Sequence, residues 1–172
     1  MIDGSAVRYH GVTWFCAMHP RRLVVLPLPP QSGYVGTVVA RGRFLAFSYY
    51  QDVGCEYAAP AARSIDRNTG KVLLELPPQS DCIDVASTTI SDLALSGVTG
   101  AFAVIRNTVD YEDDLGDSTV IAVRARGRKT LAYEPKRNSE DNLSRSRIFP
   151  RSLWFDGRLH WRHADGPRRA RL

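Results

Sequence analysis

The chain is poor in the features that assign a chemistry quickly. Its 172 residues hold three cysteines, Cys16, Cys55 and Cys82, and none forms a Cys-x-x-Cys motif. That is far too few for a disulfide-framed scaffold. Lysine is scarce: 20 of the 23 basic residues are Arg, and only Lys71, Lys129 and Lys136 are not. No apolar run approaches the ~18 residues of a membrane-spanning helix. Residues 1–30 lack the continuous apolar stretch of a secretory signal, because the run 23–28 is broken by Pro27. Compartment is therefore open: cytoplasmic as read, exported if residues precede Met1. Gly-x-Ser-x-Gly, a phosphate-cradling glycine loop and His-Glu-x-x-His are all missing. Hence the sequence names no catalytic residue, no cofactor-binding residue and no cofactor.

Helical periodicity is also nearly absent, and what replaces it is informative. Short β-branched and aromatic runs recur, bounded by Gly, Pro, Asn and Asp. They predict strands at 12–17, 23–26, 36–40, 44–49, 63–66, 71–76, 91–95, 101–106, 119–124, 130–133, 152–155, 159–161 and 168–172. Four segments read as tight turns between them: Arg41-Gly42-Arg43, Asp66-Arg67-Asn68-Thr69-Gly70, Arg126-Gly127-Arg128 and Asp156-Gly157-Arg158. Glycine and asparagine supply the positive φ such turns need, so Asn68 and Gly70 are both expected there. Trp14, Trp154 and Trp161 are expected in the core.

The strands repeat as a group. An apolar strand, a glycine-containing turn and a second apolar strand recur around Gly42, Gly97 and Gly157. Each of the first two pairs is followed by a polar loop and another hairpin. The fold class is therefore all-β, built from antiparallel four-stranded meanders in a partial or three-bladed propeller-like assembly. Residues 1–172 form one domain: a half unit 6–27, blade-like units 36–76 and 90–133, and C-terminal strands 148–172. The two ends are expected to pair and complete a third blade. Open strand edges favour self-association, for example of two chains into six blades.

Several segments resemble the blade repeats of uncharacterised β-propeller-like proteins of actinobacteria. They are residues 38–47, Ser64-Ile65-Asp66-Arg67-Asn68-Thr69-Gly70-Lys71-Val72, Ile90-Ser91-Asp92-Leu93-Ala94-Leu95, and the ending from Ile148-Phe149-Pro150 to Leu159-His160-Trp161. The resemblance implies a binding scaffold, usually exported, with no catalytic residues to carry over.

On that scaffold the binding face is expected on two loops. One carries Asp52, Glu56 and Tyr57; the other carries Asp110, Tyr111, Glu112, Asp113, Asp114 and Asp117. The acidic run fails as a calcium loop, since Gly116 is one place late and Ile121 stands where the closing Glu belongs. Cys16 with His19, and His160 with His163, have zinc-like spacing, but residues three apart in a strand face opposite ways. No metal is therefore expected. In a meander, Cys55 and Cys82 lie in connections at the same end, so a Cys55–Cys82 disulfide is topologically allowed in an oxidising compartment.

The expected function is a non-catalytic module binding an unidentified protein or small ligand. Two alternatives are an accessory domain of a hydrolase whose catalytic part lies elsewhere, and a weak nucleic-acid binder using Arg145, Arg147, Arg151, Arg168, Arg169 and Arg171. Charge speaks against the last. Residues 136–172 hold ten basic and four acidic residues, net +6, so the other 135 residues of this +5 chain carry net −1. Basic excess reads as a property of one end, not of the whole.

Overall fold

The run Phe44-Leu45-Ala46-Phe47 is apolar at every position, and in the structure all four side chains are buried. A strand that is apolar on both faces needs a layer on each side, and that requirement organises the molecule. The computed structural model describes residues 4–9, 12–18, 21–54, 58–79, 86–110, 115–137, 150–163 and 165–172. They form strands and turns with no helix.

The first sheet holds β1 (Gly4–Tyr9), β2 (Val12–Met18) and β3 (Arg21–Leu26). The second holds β4 (Ser32–Arg41), β5 (Phe44–Gln51), β6 (Ala59–Asp66) and β7 (Val72–Leu76). The third holds β8 (Ala86–Leu95), β9 (Phe102–Asp110), β10 (Leu115–Arg124) and β11 (Gly127–Arg137). The last holds β12 (Arg151–Phe155), β13 (Leu159–His163) and β14 (Gly166–Ala170). Every sheet is an antiparallel meander in chain order.

Strand alternation then stacks the sheets. Leu45, Phe47 and Tyr49 of β5 point to the first sheet, where they meet Phe15, Val24 and Leu26. Phe44 and Ala46 point the other way, onto Leu95, Phe102 and Val104 of the third sheet. Ala103, Ile105 and Val120 on that sheet's far face pack against Leu153, Leu159 and Trp161 of the last. Three apolar layers thus join four sheets in chain order. Each large side chain moved fully out of water supplies roughly 1.5–3 kcal/mol.

Both four-stranded meanders lie where the repeat predicts them, with β4 and β8 starting a few residues earlier. The ends do not share a sheet. β1, whose Gly-Ser-Ala start carries little strand signal, gives the first sheet a third strand, and β12–β14 form their own. The reason is packing: the end sheets bury their apolar residues against opposite faces of the central pair. Two of the three tryptophans also depart from expectation. Trp161 is buried, but Trp154 is 43% exposed and Trp14 only half-buried. Trp154 lies between the inward-facing Leu153 and Phe155, so the pleat turns it out, where it stacks on His160 with centroids 5.0 Å apart.

The outward positions of the first sheet are apolar too. Leu23 is 60% exposed and Val25 44%. Cys16, opposite Leu23 in the register, is a free, exposed thiol there.

The turns repeat in detail. In 66–71, Gly70 N–H donates to the Asp66 carbonyl and Lys71 N–H to Thr69 Oγ1. In 96–101, Gly100 N–H donates to the Ser96 carbonyl and Ala101 N–H to Thr99 Oγ1. Gly70 and Gly100 both sit at φ 71°, so one Thr-Gly turn serves two units. Asn68 does not take positive φ; Gly70 alone carries that strain-free reversal.

Candidate functional site

A meander places its first and third turns at one end of the sheet and its second loop at the other. The sheets stack so that the first-turn ends coincide. A Cβ on Gly42 would lie 3.2 Å from the Gly97 carbonyl oxygen, and one on Gly97 would lie 2.9 Å from Arg41 Cγ. Glycine at 97 is what lets the Arg41 side chain cross the neighbouring turn. Arg41 goes on to donate from Nη1 to the Phe155 carbonyl, and its guanidinium lies 5.2 Å from the Phe155 ring centroid. One arginine thus ties the turn of the second sheet to that of the last.

This turn end is strongly basic. Arg41 and Arg43 flank Gly42, Arg126 and Arg128 flank Gly127, and Arg158 follows Gly157; all five are exposed. Arg67 and Arg124 stand beside them, half-buried, with buried Nε donors that meet no acceptor. Among the described residues only two carboxylates share this end, and both are engaged. Asp66 pairs with Arg43 at 3.1 Å. Asp156 bonds His160 Nε2 at 2.8 Å, and that bond holds its carboxyl below the ordinary range. Phe44 and Phe155 lie at this end, each under a guanidinium, Arg43 and Arg41, and the exposed Trp154 beside Phe155 stacks on His160.

The opposite end holds the loops singled out from sequence. Asp52 is exposed and accepts the Gly54 N–H at 2.8 Å, an ordinary Asx turn. Asp117 is half-buried on β10, where its charge favours the cationic form of Arg106. Burial still lowers the Arg106 pKa on balance, with Arg128 adding repulsion; its Nη1 donates to Gln79. Asp110 closes β9, with its side chain outside the described set. Glu56, Tyr57, Tyr111, Glu112, Asp113 and Asp114 lie outside the described residues, as do Cys55, Cys82 and His19.

The two described histidines, His160 and His163, are held by carboxylates. His163 Nε2 lies 2.5 Å from Glu134 Oε1 on β11, and its Nδ1 2.8 Å from Asp165. The bond from His163 also lowers the Asp165 pKa. No group of three metal-ligating side chains converges among the described residues.

One polar cluster is structural: Tyr49 is buried, Arg63 half-buried and Glu75 exposed. Glu75 Oε1 accepts from Tyr49 Oη at 3.0 Å and from Arg63 Nε and Nη2 at 2.9 and 2.8 Å. Arg63 Nη1 reaches the Pro27 carbonyl at 2.6 Å and so pins the link between the first two sheets. Burial, ahead of every other influence, pushes the Tyr49 hydroxyl well above its usual value. The folded chain therefore holds that proton more tightly than the unfolded chain does. The stability it contributes is complete below pH ~10 and is lost as pH rises through the raised value. Burial also raises the Tyr50 pKa, so ultraviolet titration is expected to show Tyr49 and Tyr50 ionising after the exposed tyrosines, and Tyr49→Phe to remove the last step. Ionisation of every tyrosine together, without unfolding, would contradict this.

The turn-end arginines escaped the sequence reading, although their signal is plain in hindsight: glycine turns flanked by Arg recur in successive units. No helix of the described residues is long and apolar enough to cross a membrane, which leaves membrane-crossing strands unaddressed. No family model matches the chain, and no curated protein and no solved structure matches it either.

Proposed function

We propose that the chain is a non-catalytic, propeller-type interaction module whose binding surface is the end bearing the first turns. One observation carries the reading: the first strands of successive sheets lie against one another, β4 on β8 and β8 on β12, with β8 also crossing β5 and β6. Strands so arranged form an inner row, with the later strands of each meander carried outward as in a blade. Their turns then crowd together at one end, where Arg41 links them. Loops held on a rigid scaffold are where such folds bind partners.

The polar groups with long-range bonds suit this role. Asp92 joins two sheets, Arg63 ties the second sheet to the link before it, and Tyr49 and Glu75 bond within the second sheet. Screening the purified chain against ester, phosphoester and glycoside substrates tests the reading, and no turnover above buffer is expected. Turnover abolished by substituting one Asp, Glu or Ser would overturn it.

A further inference from the structure

Resting on that reading of the chain as an interaction module, we infer that the turn end binds the phosphodiester backbone of duplex nucleic acid. The residues are dispersed along the chain: Arg41, Arg43, Arg67, Arg126, Arg128 and Arg158. Folding collects them. The contacts of Gly42 with Gly97, and of Arg41 with Phe155, fix three of the sheets with their turns on one end. A duplex presents phosphates along two strands, so a basic surface assembled from several sheets can meet several of them at once.

Three features select this partner. The planar guanidinium matches phosphate oxygens with paired hydrogen bonds, which an ammonium does not, and all six residues are Arg. The carboxylates that would repel an anion, Asp66 and Asp156, are already paired with Arg43 and His160. Five of the six side chains, all but Arg67, are exposed. Single strands are a poorer fit. They are held by stacking on open aromatic faces, and here Phe44 and Phe155 are covered by arginines and Trp154 is stacked on His160. Contacts of this kind position a backbone and read no sequence.

Fluorescence anisotropy of the whole chain with a labelled duplex of roughly 20 base pairs tests the inference. Micromolar binding is expected at about 50 mM salt, falling several hundred-fold by about 200 mM, as some five phosphate contacts require once Arg43 is paired with Asp66. Arg126→Glu/Arg128→Glu is expected to weaken it at least ten-fold without moving the thermal midpoint. Arg158→Glu, as an independent variant, should weaken it several-fold. Arg162 is exposed toward the opposite end of the last sheet, where it pairs in register with Pro167; Arg162→Glu should change binding less than two-fold.

Absence of binding at the lowest salt overturns the inference. So does loss on Arg162→Glu without loss on Arg126→Glu/Arg128→Glu. Competition by polyglutamate as effective as by unlabelled duplex also overturns it, since a carboxylate chain would then serve equally well. A blank substrate screen together with absent duplex binding would leave the module reading standing and remove only this inference.

Discussion

Phe102→Ala is expected to destabilise the chain by about 3–5 kcal/mol, the usual range for emptying a buried aromatic site. Phe102 is fully buried in the layer between the second and third sheets, among Phe44, Leu95 and Val123. It starts β9, paired with Leu95 on one side and Val123 on the other. The backbone around it is fixed by ladders, so the cavity has little means of collapsing. Against a total stability of ~5–15 kcal/mol this is a large fraction. At ~2–4 °C per kcal/mol for a chain this size, the thermal midpoint should fall by roughly 10 °C or more. Urea denaturation should show a lower midpoint with an unchanged slope. Val98→Ala is the matched control: Val98 is 83% exposed, and its loss should stay within ~0.5 kcal/mol. Equal effects at the two positions would mean that the sheets do not pack as described.

Asp92→Ala is expected to cost about 2–4 kcal/mol by a different route. The Asp92 carboxylate accepts the Leu93 N–H and the Leu153 N–H, both at 2.8 Å. The second bond joins β8 of the third sheet to β12 of the last. It sits where both strands slip register, at Ile90/Asp92 and at Arg151/Trp154, beside Ser152 at φ 57°. Alanine leaves both donors without an acceptor, each at a cost of ~1–3 kcal/mol, partly offset because a charge is no longer buried. Asp92→Asn should recover about half, since an amide oxygen serves one donor while its NH₂ opposes the other.

The pH dependence separates the two variants from a packing defect. Burial raises the Asp92 pKa, and the two backbone N–H bonds only partly oppose that. The folded chain thus binds this proton more tightly than the unfolded chain. The associated stability is complete below the ordinary carboxylate value and is lost as pH rises through the raised one. Denaturation midpoints should therefore show a decline with pH above the ordinary range that Asp92→Asn abolishes. A parallel pH profile in the two proteins would contradict the assignment.

Much of the fold is legible along the chain because strands write themselves locally. Val38-Val39-Ala40 and Phe44-Leu45-Ala46-Phe47, separated by Arg41-Gly42-Arg43, announce a hairpin through β-branched and aromatic residues and one glycine at φ 58°. The Asp66–Gly70 turn is equally readable, since its Thr-Gly pair does the same work at 99–100. β1 was not legible, because Gly4-Ser5-Ala6-Val7-Arg8-Tyr9 owes its strand to pairing with β2 rather than to its own preference. The exposure of Trp154 was missed for a related reason. An aromatic residue in a strand has two faces to choose from, and only the neighbouring sheet decides which one is inside.

The candidate site divides along the same line. Residue order by itself determined the meanders, the turns and the arginines set on either side of turn glycines, because each depends on neighbours a few positions away. It also put net −1 on the first 135 residues, which argued against a polyanion partner. Only the tertiary structure decided where those charges go. Antiparallel strands return every second turn to the same end, and face-to-face packing brings three such ends together. Arg41, Arg126 and Arg158, far apart along the chain, thereby become one surface, while Asp66 and Asp156 are drawn into pairs of their own. Charge adds up over space, not along the chain, and that is why the composition of a segment could not foretell it.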